Sequence, residues 1–191
     1  MSDILKTIHA QHTQAIDGLF HDCSETLTKL AARCVAAFAQ NHKLFFCGNG
    51  GSACDAAHIA GEFVGRFVHD RRALPAIALT ADAGILTAVA NDYSYEEVFS
   101  RQIEALGAAG DVLVAMSTSG QSANVLKALH AARNKGMTTV LFTGEKGRNA
   151  TSNIDFSIIV PSLITAHVQE AHMVALHALA SLIEAQLFAG A

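Results

Sequence analysis

The chain has 191 residues, of which 51% are hydrophobic and 16% are charged, and its formal net charge is −4 with the histidines neutral. This length fits one domain with a sizeable core, whereas the lack of a basic tract argues against nucleic acid or an anionic membrane as a partner. No apolar run approaches the ~20 residues that cross a bilayer, and the N-terminus has no apolar signal core. We therefore expect a soluble cytoplasmic protein.

The apolar content is high for a monomer of this size. It predicts a sheet covered on both faces or an oligomer that buries helix faces, and we expect both. The cysteines form no C-x-x-C pair, and we interpret all of them as buried free thiols in a reducing compartment. They are Cys23, Cys34, Cys47 and Cys54.

The first 40 residues carry apolar side chains at helical spacing. We predict two N-terminal helices, with a break near Gly18 or within residues 21–24. The period changes at 43–47, a short apolar run that predicts a buried strand, and a glycine-rich turn follows at 48–52. Residues 53–67 return to helical spacing.

Alternating strands and helices continue to the end of the chain. Strands are predicted at 76–79, 111–116, 138–142 and 156–160, and a glycine-rich loop at 144–147. Helices are predicted after residue 79 as far as about residue 106, at 122–135 and at 167–188. The pattern indicates an α/β fold, a five-stranded parallel sheet with helices on both faces. No linker divides the chain, so we expect one domain over 1–191, with N-terminal helices in 1–40 and an α/β core in 41–191.

Two loops of a phosphate-binding type follow predicted strands. In the first, residues 48–52, glycines let the backbone approach a ligand, and Ser52 is able to cap the next helix or donate to an anion. The second, residues 117–122, places four hydroxyls between a strand and a helix N-terminus. Either loop alone is also an ordinary turn. Together, at strand ends of one sheet, they indicate a small phosphorylated ligand. The first loop has neither the spaced glycines of the Rossmann fingerprint nor the Gly-Lys-Ser/Thr end of a P-loop, so the sequence does not predict nucleotide binding.

Chemically active side chains recur on one predicted helix. His58 and Glu62 are four residues apart, so they share a helix face. A pair of this kind binds a metal, transfers protons or forms a surface ion pair. Asn91 and Asp92 form a second polar point, either a turn or a site that holds sugar hydroxyls.

The last helix carries Gln169, Glu170, His172 and His177 in an otherwise mostly apolar segment. A solvated face at the helix start explains Glu170 and His172. It explains His177 less well, because apolar residues surround His177.

These segments together resemble one known family. CGNGGSACDAAHIAGEFVGRF (47–67), Asn91-Asp92, STSGQSAN (117–124) and VQEAHMVALH (168–177) are similar to the phosphosugar-binding SIS-domain proteins, and most of all to the sedoheptulose 7-phosphate isomerases. The resemblance covers nearly the whole chain in order and with similar spacing. The chain departs from many relatives at Gln121, where Asn is frequent, and at His167, where Arg is frequent and where a histidine makes the contact pH-dependent.

The resemblance implies a homotetramer with active sites between subunits and N-terminal helices in the assembly. It implies conversion of sedoheptulose 7-phosphate into D-glycero-D-manno-heptose 7-phosphate, at the start of heptose biosynthesis for bacterial surface lipopolysaccharide. It also implies one zinc ion per subunit, with ligands His58, Glu62, Gln169 and His177. Contacts to the sugar phosphate are implied at Asn49, Gly50, Gly51, Asn91, Asp92, Ser117, Thr118, Ser119, Ser122 and Gln169. To these we add Ser52 and Glu62 from their own chemistry.

Two of the four implied zinc ligands lie far apart on a straight helix. Gln169 and His177 are eight residues apart, so a straight helix separates them by ~12 Å along its axis and by roughly 80° around it. One metal binds both only through long side-chain reach, a helix that begins after Gln169, or ligands from different chains. Glutamine is also a poorer zinc ligand than histidine or a carboxylate, so we give more weight to the other three residues.

Aldose–ketose isomerisation needs a base on carbon, a proton donor on oxygen and stabilisation of negative charge. We expect Glu62 to move the carbon proton, His177 to move the oxygen proton and zinc to polarise the carbonyl. Two other functions are considered: a non-catalytic SIS-domain adaptor that binds a replication initiator, and a sugar-phosphate sensor. The presence of all four proposed ligands favours the enzyme.

Overall fold

A parallel sheet of five strands forms the centre of the protein in this computed structural model, which describes residues 2–188. The strand order is β2-β1-β3-β4-β5 and every pairing is parallel. The predicted α/β class is therefore confirmed, and each predicted strand boundary lies within two residues of the observed one. The strands are β1 (Leu44–Gly48), β2 (Ala76–Ala78), β3 (Val112–Ser117), β4 (Thr138–Gly144) and β5 (Phe156–Val160).

Helices cover the sheet on both faces. They are α1 (Asp3–Ala39), α2 (Gly51–Val64), α3 (Ala83–Asp92), α4 (Ser100–Leu106), α5 (Ala123–Asn134) and α6 (Thr165–Leu187). Two 3-10 helices lie at Tyr95–Glu97 and Glu145–Thr151. None of the helices in the described part of the chain carries an apolar stretch that could cross a bilayer.

Alternate side chains of β1, β3 and β4 enter two different core layers. Phe46 and Val114 pack with the layer formed by α1, α2 and α6. Their neighbours Phe45 and Leu113 pack with the layer formed by α4 and α5. This alternation follows from the two-residue period of a strand, and burial on both faces explains the continuous apolar runs that predicted the strands.

The N-terminal region is one helix, so the predicted break is wrong. Gly18 lies inside α1, where an added Cβ would stand only 2.5 Å from the Cγ atom of Pro161. The glycine therefore provides close packing against the turn after β5 and does not end the helix. Residues 144–147 also differ from the prediction, because β4 extends to Gly144 and a 3-10 helix begins at Glu145.

The cysteines are free in the structure, and three of them are buried. Cys54 is exposed on α2, so the expectation that all are buried is wrong for this residue. It lies on the outer face of α2, whereas Cys34 and Cys47 are enclosed by apolar neighbours, and this burial raises their pKa to about 12.

The strand order reverses between β1 and β3. In open α/β sheets, the loops beyond the carboxyl ends of two such strands form the crevice in which ligands bind. These are the loops at 48–52 and 117–122, the two that the sequence indicates as phosphate-binding.

Candidate active site

The first loop leads into the N-terminus of α2. Gly50 is the N-cap residue, with a φ of 56° that L side chains rarely adopt. Ser52 lies inside the first turn and is 2% exposed, so of its two expected roles, a helix cap or a donor to an anion, the structure excludes the first. The first N–H groups of a helix have no partner within the helix, and they attract anions together with the helix dipole.

An amide pair joins the first loop to the first turn of α5, directly after the second loop. Asn49 donates from Nδ2 to Oδ1 of Asn124 over 2.8 Å, and Asn124 returns the bond from its own Nδ2 over 2.9 Å. The hydroxyl of Tyr95 donates to Oδ1 of Asn49 over 3.1 Å. Asn124 and Tyr95 were not predicted as site residues. Asn124 belongs to the STSGQSAN segment, but only the structure shows that it pairs across two strands.

The second loop has its own hydrogen bonds. The hydroxyls of Ser117 and Ser122 are 2.9 Å apart, and the backbone N–H of Gln121 donates to the Ser119 hydroxyl over 3.2 Å. Gly120 has a φ of 67° and packs directly on Gly147. These contacts hold the turn in one conformation, with its hydroxyls at the end of β3.

A small pocket lies between the second loop and the N-terminus of α6. Its walls include Thr118 and Ser119 of the loop, Thr165 at the start of α6, and the exposed cation Lys146. Hydroxyls, a helix N-terminus and an ammonium group together favour an anion. The sequence analysis did not identify Lys146, because this lysine belongs to no recognisable motif.

Two histidines meet where α2 and α6 lie side by side. The Nε2 atoms of His58 and His177 are 3.0 Å apart, and their rings are T-shaped with centroids 5.2 Å apart. The Oε1 atom of Glu62 lies 3.5 Å from the same Nε2 atom of His58. The side chains of His58 and Glu62 are 47% and 25% exposed, so the cluster is open to a ligand. The structure thus brings together three of the predicted site residues.

An extended segment after α2 covers this cluster from one side. The ring of Phe67 stacks on His177 with centroids 5.4 Å apart. The carboxylate of Glu184 accepts hydrogen bonds from the backbone N–H groups of Phe67 and Val68 and from Nε of Arg71. Arg71 in turn donates from a second nitrogen to the carbonyl of Glu62 over 2.7 Å. Phe67, Val68, Arg71 and Glu184 were not predicted, since only the fold brings them to Glu62 and His177.

Gln169 lies at the other end of the α2–α6 contact. An added Cβ at Gly51 would stand 2.6 Å from Nε2 of Gln169, so the amide rests against the first loop. Helix α6 begins at Thr165, which excludes a helix that starts after Gln169. Among the described residues, no hydrogen bond joins Gln169 to His58 or His177.

Asn91 and Asp92 are exposed at the C-terminal end of α3, where the amide of Asn91 donates to the Asp92 carboxylate over 2.8 Å. They lie three or four residues before Tyr95, which contacts the first loop. Both side chains therefore remain accessible to a ligand at the edge of the crevice.

His172 and Glu170 differ in environment. Glu170 is exposed, as the interpretation of a solvated face requires. That interpretation is wrong for His172, which is fully buried against the ring of Phe142. Burial lowers the pKa of His172 to about 4, so its imidazole is neutral near neutral pH.

Asp55 is a further residue that sequence reasoning missed. It lies one helical turn before His58 on α2, and its Oδ2 atom is buried without a hydrogen-bond partner. Burial raises the pKa of Asp55, and the nearby His58 opposes this.

Comparisons with known proteins give consistent results. A sequence model of the SIS domain matches residues 9–144. A phosphoheptose isomerase from Roseiflexus sp. (strain RS-1) is 52% identical over 162 residues, which cover 85% of this chain and 82% of that protein. One from Geobacter sp. (strain M21) is 45% identical and covers 97% of this chain and 98% of its own. The solved phosphoheptose isomerase of Neisseria gonorrhoeae superposes with a TM-score of 0.90 at 37% identity, over 96% of this chain and 98% of that chain.

Proposed function

The chain belongs to the phosphoheptose isomerase family of SIS-domain proteins, and we propose that it converts sedoheptulose 7-phosphate into D-glycero-D-manno-heptose 7-phosphate in bacterial heptose biosynthesis. One observation carries this proposal: Nε2 of His58 lies 3.0 Å from that of His177 and 3.5 Å from Oε1 of Glu62. A carboxylate and two imidazoles meet on helices that begin at the ligand-binding edge of the sheet. The adaptor hypothesis has no support among the relatives described above.

The cluster supplies the groups that an enediol mechanism needs. Glu62 takes the proton from one carbon and returns it to the next, while His177 moves the proton on oxygen. The short contact between the imidazoles requires that, without a metal, one nitrogen donates a hydrogen bond and the other accepts it. A metal bound to both nitrogens would replace this proton. Phe67 stacks on His177 and holds its ring in a fixed orientation.

Two of the three donor separations in the cluster suit a zinc ion. Glu62 and His177 would have to move closer together to bind the same ion, because their donor atoms do not lie within 4.8 Å of each other. Ligand atoms of a tetrahedral zinc site at ~2.0–2.1 Å are separated by roughly 3.3 Å, between the two distances measured from His58. We propose one zinc per subunit on His58, Glu62 and His177. Because a metal-bound carboxylate is a weaker base, Glu62 would leave the metal, or bind it weakly, when it takes the carbon proton. Gln169, two turns away on α6, would join them through a neighbouring subunit or a rearranged side chain. When bound, zinc polarises the substrate carbonyl as a Lewis acid.

The phosphate and hydroxyl groups of the substrate have separate contacts in this proposal. The N-termini of α2 and α5 and the hydroxyls of the second loop attract the phosphate, and Lys146 adds a positive charge. Asn91 and Asp92 hold sugar hydroxyls. The proposed contact residues are Asn49, Gly50, Gly51, Ser52, Ser117, Thr118, Ser119, Ser122 and Gln169.

We propose a homotetramer in the cytoplasm, with active sites completed between subunits. Three apolar side chains at the start of α1 support an assembly, because Ile4, Leu5 and Ile8 are 71%, 53% and 47% exposed. The openness of His58 leaves room for groups from a second subunit. The free cysteines suit a reducing compartment.

The decisive experiment is Glu62→Gln. Because it removes the base while keeping the shape of the side chain, kcat should fall by about 10³-fold or more, with folding and assembly unchanged. Turnover of sedoheptulose 7-phosphate is followed by NMR of the product. The control Glu104→Gln changes an exposed carboxylate on α4 and should keep full activity. Retained turnover in Glu62→Gln would rule out the base, and no product from the native chain with any metal would favour the adaptor.

Zinc is tested separately. Dialysis against a chelator should abolish most activity, and added Zn²⁺ should restore it, because the carbonyl then regains its Lewis acid. Metal analysis of His58→Ala should show less bound zinc than the native chain. Full activity after complete metal removal would exclude a catalytic zinc.

A further inference from the structure

A second cluster of metal-ligating side chains lies where α1 crosses the first turns of α6. The Nδ1 atom of His12 is 2.7 Å from Oε2 of Glu170, and Nδ1 of His167 is 3.1 Å from the same oxygen. All three donor atoms lie within 4.8 Å of one another. We propose that His12, His167 and Glu170 bind a divalent transition metal, with zinc as the natural occupant, that fastens α1 to α6. This metal clasp is distinct from the His58–His177 pair and does not depend on the proposed activity.

The donor set has the chemistry that such a metal requires. Two imidazole nitrogens and one carboxylate oxygen are common ligands of Zn²⁺ and of neighbouring first-row divalent ions. The donor atoms already converge, since both nitrogens point at one oxygen, so a metal would need only small side-chain rotations. The cluster is thus preorganised by the fold, which brings residue 12 to residues 167 and 170.

The three proposed ligands differ in how far their side chains are exposed. The His167 side chain is 6% exposed and is held by its surroundings, whereas those of His12 and Glu170 are 40% and 48% exposed. One ligand is therefore fixed, and the open side admits the ion and leaves a coordination position for water. Three protein ligands with an open position are a normal arrangement for zinc.

The position of the clasp gives it a structural role. Residues 2–11 of the chain are all exposed, and the first buried residue of α1 is Ala15. The first turns of α1 thus extend beyond the core, with little to hold them. A metal at His12 would anchor them to α6 and fix the direction of the apolar side chains at the helix start. Because the ligands come together only in the folded chain, the metal would also stabilise folding.

The test compares matched variants of the full chain, with Co²⁺ as a spectroscopic probe and Zn²⁺ as the occupant. Metal-free protein is dialysed against Co²⁺ or Zn²⁺, and the metal bound per chain is then measured. The visible absorption of the Co²⁺ sample is recorded as well. His12→Gln should bind one equivalent fewer than the native chain, or bind that equivalent at least tenfold more weakly. The control His21→Gln changes an exposed histidine on the same helix that pairs with Asp22 over 2.7 Å, and it should bind as the native chain does.

Further measurements separate the clasp from the proposed active site. In a His58→Ala/His177→Ala background, the equivalent that depends on His12 should persist. Zinc should raise the thermal midpoint of that background, and adding His12→Gln or Glu170→Gln should remove the rise. Circular dichroism verifies that each variant is folded. Equal metal binding by His12→Gln and His21→Gln, whether both keep it or both lose it, would overturn the proposal.

Discussion

At the scale of single residues, one buried ion pair organises the segment beside the proposed active site. The side chains of Arg71 and Glu184 are 1% and 2% exposed, and their Nε and Oε1 atoms are 3.0 Å apart. Burial alone would raise the pKa of Glu184, but hydrogen bonds from three backbone N–H groups and Arg71 outweigh it and lower the pKa. This carboxylate holds the backbone of Phe67, and Phe67 holds the ring of His177.

We expect Glu184→Gln to destabilise the protein by about 3 kcal/mol, because it leaves the Arg71 guanidinium buried without its countercharge. It should also lower kcat, since Phe67 no longer holds His177 in place. The control Glu25→Gln breaks an exposed pair with Lys29 on α1 and should not change the unfolding midpoint measurably. Equal midpoints for the two variants would contradict this role.

The lowered pKa of Glu184 makes the stability of the protein depend on pH. A carboxylate whose pKa is lowered in the folded state contributes stability above its unfolded pKa of about 4.3. This stabilisation is lost as the pH falls through the pKa of the folded state. The difference in unfolding free energy between the native chain and Glu184→Gln should therefore be constant near neutral pH and narrow below about pH 4.3. Urea unfolding at several pH values measures it.

At the scale of elements, parallel packing of α2 and α6 sets the site. Gly51 meets Gln169 at one end of the contact, and His58 meets His177 about two turns later. Gly51 and His58 are seven residues apart, and Gln169 and His177 are eight. Two parallel helices that touch at the first pair therefore also meet at the second. The packing of α1 against the turn after β5 similarly depends on a close approach, that of Gly18 to Pro161.

Two glycine-to-alanine substitutions test this account of α1. Alanine favours a helix by about 1 kcal/mol over glycine, and Gly61 on α2 has open space where a Cβ would stand, so Gly61→Ala should be stabilising. Gly18→Ala should instead lose about 1 kcal/mol overall, because its Cβ would overlap the ring of Pro161. Thermal midpoints of both variants give the comparison. A stabilised Gly18→Ala would show that this packing is not tight.

At the scale of the whole molecule, the proposed binding loops and the proposed catalytic cluster lie at different points along α2 and α6. The loops after β1 and β3 lie in the crevice where strand order reverses, while the His58–His177 pair lies about two turns along the helices. Three exposed apolar side chains, those of Ile4, Leu5 and Ile8, lie together at the start of α1, and others are spread over the surface. In the proposed mechanism, one substrate would contact both the loops and the His58–His177 pair, and a second subunit would cover the open side.

We expect native mass spectrometry to show four copies of the chain. The double substitution Ile4→Glu/Ile8→Glu should dissociate the assembly, because it places charges in a buried contact, and should reduce kcat/KM at least tenfold by opening the active sites. The control Leu106→Glu alters a leucine that is 47% exposed on α4 and should leave the assembly intact. A fully active monomer would exclude a shared active site.

The features determined by the sequence alone are local ones. The alternation of apolar runs and helical periods predicted five strands, and the loop composition predicted the turns after β1 and β3 that we propose to bind an anion, because strand burial and turn chemistry depend on near neighbours. The i,i+4 spacing placed His58 and Glu62 on one face of α2. The motifs also indicated the family, which the comparisons confirm.

Only the tertiary structure decided the contacts between distant segments. It paired His58 with His177, Asn49 with Asn124, and Glu184 with the segment around Phe67, and it kept α1 continuous through Gly18. It also brought His12 to His167 and Glu170. Side-chain periodicity states which face of an element is apolar, but the offset at which two elements pack depends on the fit of the whole core. That offset determines which polar side chains meet.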